Sequence, residues 1–116
     1  MIKVSLIVRD KNRSLRLKVE GHAGQAEIGQ DIVCASASIL TYTVAQIVTD
    51  MARKELLDRE PTIVLDSGDA TVECICKDET AYGEALNGYY VAMVGYQLLA
   101  HDYPQFVGLK IVGEVE

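Results

Sequence analysis

Ile2-Lys3-Val4-Ser5-Leu6-Ile7-Val8-Arg9, Asp10-Lys11-Asn12-Arg13 and Ser14-Leu15-Arg16-Leu17-Lys18-Val19-Glu20 follow one another without a break. Ile2, Val4, Leu6 and Val8 share one side of an extended chain. Leu15, Leu17 and Val19 alternate with Ser14, Arg16, Lys18 and Glu20. A period of two marks strands with one buried face. The polar run at 10–13 joins them, so the reading is a hairpin. A hairpin with one apolar face must bury that face against another layer.

The covering layer follows in the sequence. A helix is predicted over residues 31–57, because Val33, Ala37, Leu40, Val44, Ile47/Val48 and Met51 recur at three- and four-residue spacing. Asp31 fits its N-cap, and Pro61 bars it from going further. Residues 62–65 and 71–76 read as a second pair of strands, joined by Asp66-Ser67-Gly68-Asp69. A second helix is predicted over residues 79–101, with Leu86, Val91, Val94, Leu98 and Leu99 as its apolar content. Gly83, Gly88 and Gly95 weaken that reading. Pro104 ends the helix, and residues 106–112 make a last strand. The order is ββαββαβ. It implies an α+β two-layer sandwich, a mixed sheet with two helices packed on one face.

The chain has 116 residues, enough for one domain spanning residues 1–116 with its own core. No apolar run reaches the length of a membrane span, and residues 1–6 lack the features of a signal peptide. A cytoplasmic protein with no membrane partner is expected. The formal net charge is −6. That excludes a general DNA or RNA binder, because Lys and Arg drive phosphate binding. The charge is split. Residues 1–20 hold six bases and two acids; the rest holds five bases and fifteen acids. A solvated hairpin explains the basic part, and a partner-facing basic edge is the other reading.

Three cysteines and two histidines carry the candidate chemistry. Cys74 and Cys76 lie two apart on a predicted strand, on the same side as Val72. They read as small buried residues. No second Cys/His pair has zinc-finger spacing, so no structural metal is expected. His101 lies at the end of the second helix, where an imidazole complements the dipole. Cys34 differs, because it falls near the third position of the first helix. Unpaired N–H groups and the helix dipole there favour a thiolate, and the same N–H groups suit an oxyanion. His22 precedes it in the Gly-rich stretch 21–30, where a loop can fold back over the helix start. A neighbouring imidazole can take the thiol proton. Ser38 is one helical turn beyond Cys34, on the same face. Asp31 either caps the helix or orients His22, and the sequence leaves both open.

Gly21-His22-Ala23, Gly29, Asp31-Ile32-Val33-Cys34-Ala35 and Ser38 together resemble the ribosomal-processing cysteine protease family, Prp. Ser36 departs from its pattern, where alanine is common. The resemblance covers essentially the whole chain. It implies a homodimeric cysteine endopeptidase that removes the N-terminal extension of large-subunit ribosomal protein twenty-seven. It implies Cys34 as nucleophile and His22 as general base and acid, with no metal or cofactor. Asp31 and Ser38 would support the site, and Gly21 would shape a loop that closes over the peptide. Ribosomal proteins are typically basic, so the acidic body would attract such a substrate. Two other readings compete. One is a non-catalytic ribosome-assembly module in which Cys34 is merely packed. The other is a hydrolase holding a metal through His22, Asp31 and Cys34.

Overall fold

The alternation at residues 2–20 becomes two antiparallel strands at the heart of a five-stranded sheet. The structure, a computed structural model, describes residues 1–22 and 30–114. Its elements are β1 (Ile2–Arg9), β2 (Ser14–Glu20), α1 (Gln30–Arg53), β3 (Thr62–Asp66), β4 (Asp69–Ile75), α2 (Glu79–Asp102) and β5 (Val107–Glu114). The spatial order is β3-β4-β2-β1-β5. Neighbours are antiparallel except β1 and β5, which pair in parallel from Ile2↔Val107 to Arg9↔Glu114. The fold is thus the expected α+β class, with a mixed sheet and the order ββαββαβ.

Register explains the core. Leu6 lies opposite Leu17, and Leu17 opposite Val72, so one face of three adjacent strands is a row of apolar side chains. All three are fully buried. Val33, Val44 and Val48 of α1 and Tyr89, Met93 and Tyr96 of α2 cover that face. The opposite face carries Lys3, Arg16, Lys18 and Glu73, none of them buried. Lys18 Nζ meets Asp69 Oδ1 at 3.2 Å across that face.

Both ends of α1 differ from the sequence reading. It starts at Gln30, one residue before Asp31, so Asp31 sits inside the first turn rather than at the cap. It stops at Arg53, four residues short of Leu57. Leu56 N–H donates to the Met51 carbonyl at 3.0 Å and Glu55 N–H to that of Ala52 at 3.1 Å. Glu55 has φ 60°. This is the Schellman ending, with a glutamate in the left-handed position that glycine usually takes. Leu57 then bridges to Cys76 beside β4, a pairing incompatible with a continued helix. The expectation about membrane length is also corrected. By length and composition, Ile32–Arg53 is long and apolar enough to cross a membrane. Interspersed Ser and Thr break the run of apolar residues without making the segment polar. Its Val33, Val44 and Val48 lie in the core against the sheet.

In α2 the expected apolar stripe is largely the wrong one. Leu99 is buried, but Val91, Val94 and Leu98 are 72%, 54% and 64% exposed. The buried stripe is built on Tyr82, Tyr89 and Tyr96 with alanines between them. Tyrosine fits there because each hydroxyl finds a partner. Tyr89 Oη donates to the Val72 carbonyl at 3.0 Å, and Tyr82 Oη to Asp10 Oδ1 at 2.5 Å. Two of the glycines lie against α1. A Cβ on Gly88 would come within 3.2 Å of Ile47, and one on Gly95 within 2.5 Å of Leu40. They do not break the helix; they let it approach its neighbour.

Candidate active site

Along α1, Cys34, Ser38, Thr41 and Tyr42 line one cavity, spaced four, three and one residues apart. Such spacing aligns side chains along one helical face. Opposite them stands the β3–β4 turn, Asp66-Ser67-Gly68-Asp69. A cavity of about 270 Å³ lies between, lined also by Gly21 and His22. The thiol, the imidazole, Gly21 and Ser38, separate in sequence, therefore share one cavity. Cys34 is half-buried, while His22 and Ser38 are exposed. The side chain of Asp31 lies outside the described residues, as does most of the 21–30 loop. His101 is elsewhere, exposed at the end of α2 with Nδ1 3.3 Å from Asp102 Oδ1.

The start of α1 changes the electrostatic argument. With Gln30 as the first helical residue, Cys34 is the fifth rather than the third. Only the first four N–H groups of a helix lack intrahelical partners. The Cys34 N–H therefore falls within the helical ladder and is not a spare oxyanion donor. The helix dipole acts most strongly over the first turn, so an imidazole becomes the more important means of activating this thiol.

The approach to His22 is fixed by backbone. Gly21 has φ +93°, and its N–H donates to the Gly68 carbonyl at 2.9 Å. A Cβ on Gly21 would collide with the Met1 carbonyl oxygen, so no other residue fits. Beneath the cavity, Thr41 Oγ1 donates to the Ala37 carbonyl at 2.8 Å. Its single proton is thereby used, so Tyr96 Oη, 2.5 Å away, is the donor between them. Burial pushes the Tyr96 hydroxyl up to about 12. This pair ties the helical wall of the cavity to the core of α2.

Cys74 and Cys76 are fully buried, as expected. The Cys74 thiol, and after it burial, hold the Cys76 thiol far above the usual thiol range, so it is inert near neutral pH.

Sequence reasoning missed the opposite wall. Asp66, Ser67 and Gly68 read only as a turn, since nothing local says that β4 will lie beside β2 and bring the turn over α1. Thr41 and Tyr42 had a usable signal, their helical spacing from Cys34.

A thiol and an imidazole on one cavity suit nucleophilic catalysis, the chemistry of the class of cysteine peptidases among others. The comparisons narrow the class. The profile of the family described as Cysteine protease Prp matches residues 1–107, and the chain belongs to that family. It is a cysteine peptidase by that membership. A search of curated proteins finds no match. Among solved structures, a Streptococcus mutans protein is 25% identical, with TM-score 0.65, covering 98% of this chain and 96% of its own. The essential ribosomal processing protease Prp of S. aureus, in complex with a covalently linked product peptide, is 24% identical with TM-score 0.68. The same protease with a substrate peptide gives 24% and 0.67; each comparison covers 96% of this chain and 99% of the other. At that identity the two S. aureus structures show a shared fold.

Proposed function

We propose that this cysteine peptidase removes an N-terminal extension from a ribosomal protein, large-subunit protein twenty-seven, with Cys34 as nucleophile and His22 as base and acid. One observation carries the reading: Cys34 and His22 line the same cavity. The S. aureus protease, a relative in fold, is described as ribosomal-processing and holds substrate and product peptides.

The chemistry follows from the two groups. His22 takes the Cys34 proton, and the thiolate adds to the scissile carbonyl carbon. The tetrahedral intermediate collapses as the C–N bond breaks, and His22 protonates the leaving amine. An acyl-enzyme thioester remains on Cys34. His22 then deprotonates a water, which attacks the thioester; the carboxylate product leaves and the thiol is restored. No cofactor enters these steps. In this reading Ser38, one turn from Cys34, supports the site through its hydroxyl, Asp31 supports it from the first turn of α1, and Gly21 sets the backbone before His22. The reaction takes place in the cytoplasm, where ribosomes assemble. The protein acts as a homodimer, and the exposed Val91, Val94 and Leu98 of α2 offer an apolar surface to a second copy.

The test is mass spectrometry of the extended ribosomal protein after incubation with wild-type or Cys34→Ala protein. The wild type shortens it at one bond and the variant leaves it intact. Equal cleavage by both would remove Cys34 as nucleophile. Binding to ribosomal particles without any cleavage would favour the non-catalytic module. Activity that survives alkylation but is lost to a chelator would favour the metal hydrolase.

A further inference from the structure

We propose that the β3–β4 turn is the positioning element for His22, with Gly68 as the residue that does it. This rests on the reading of His22 as the base, and goes beyond it by assigning a role to a residue on the opposite wall. Two contacts converge at Gly68. Its carbonyl accepts the Gly21 N–H at 2.9 Å, fixing the backbone one residue before His22. Its missing side chain leaves the space that the imidazole occupies. A Cβ at Gly68 would lie 2.6 Å from His22 Nε2, 2.8 Å from Cε1 and 3.4 Å from Cδ2. The Nε2–Cε1 edge of the ring therefore rests against the turn.

Gly68 has φ +76°, so two separate requirements select glycine there. One is conformational, because a left-handed backbone strains most L-residues. The other is steric, because any side chain displaces the ring. A residue needed only for the turn would show the first and not the second. A misplacement of about 1 Å in a reacting group can cost on the order of 100-fold in rate. The turn holds Gly21 by a hydrogen bond and meets the His22 ring, and Gly68 is placed to set the direction in which the ring presents itself.

The experiment separates the two requirements. Asparagine tolerates left-handed backbone but carries a side chain, so Gly68→Asn keeps the turn and fills the space. Three proteins are compared on a peptide spanning the cleavage site: wild type, Gly68→Asn, and Gly83→Ala. Gly83 is a control in α2 whose added Cβ meets nothing within 4 Å. Gly68→Asn is expected to lower kcat on the order of 100-fold with KM changed only a few-fold, and to shift the His22 Cε1–H resonance and its titration. Gly83→Ala leaves all of these unchanged. In the His22→Ala background, Gly68→Asn should cost nothing further. A folded Gly68→Asn protein with wild-type kcat and His22 resonance would overturn the proposal. So would wild-type protein without a nuclear Overhauser contact between the His22 ring and the Gly68 α-protons, a measurement that needs no variant. If His22→Ala itself cleaves normally, the assignment of the base fails instead.

Discussion

The molecule is built from two ββα halves that share a plan and differ in their connections. Each half is a hairpin followed by a 24-residue helix. In the second half the link from β4 to α2 is three residues, and Asp78 caps the helix by accepting the Ala81 N–H at 2.8 Å. In the first half the link from β2 to α1 runs over residues 21–29 and begins with Gly21 and His22. The strands differ too. β1 and β2 lie inside the sheet, whereas β3 is an edge strand with Val64 and Leu65 exposed. The difference separates two tasks. The first hairpin and the two helices form the core, while Gly21 and His22 of one half and the β3–β4 turn of the other line the cavity.

Changes on each side of that division should behave differently. Cys34→Ala should lower peptide cleavage on the order of 10⁴-fold or more, with the unfolding midpoint in denaturant nearly unchanged. Leu17→Ala attacks the shared core, and chemical denaturation should show a loss of about 2–5 kcal/mol. Val64→Ala on the exposed edge should cost far less.

The buried tyrosines make α2 sensitive to alkali. The Tyr96 hydroxyl ionises near 12 in the fold against an ordinary value of 10, so the unfolded chain gives up this proton first. The contribution is present below pH 10 and is lost as pH rises towards 12; it is on the order of 2 kcal/mol. Denaturation midpoints measured across that range should fall, and fall less steeply in Tyr96→Phe. Asp78→Ala removes the cap of the second half and should cost about 1 kcal/mol in thermal unfolding. The smallest effect is a gain. Glu55→Gly relieves the left-handed glutamate that ends α1 and should raise stability by up to about 1 kcal/mol in the same assay.

Much of this was legible in the sequence where the signal is local. The alternation at 2–20 fixed the first hairpin, and the spacing of Val33, Ala37, Val44 and Met51 fixed the buried side of α1. His22, Cys34 and Ser38 were legible as a group because the motif sets their separations. The buried face of α2 was not, since a tyrosine counts as half polar until its hydroxyl has a partner, and those partners are Asp10, Val72 and Thr41 on other elements. The end of α1 was hidden because a bridge from Leu57 to Cys76 overrides local helix propensity. Gly68 as a neighbour of His22 depends on strand order, which no local pattern encodes.

The parallel pairing of β1 with β5 has a kinetic consequence. Ile2 pairs with Val107, so the contact spans nearly the whole 116-residue chain. Closing such a long loop is slow compared with forming a hairpin. During synthesis β1 can join β2 early, yet its other edge stays open until the last strand has emerged. Until then β1 is an uncovered edge of the sheet, the kind of edge on which chains misassemble.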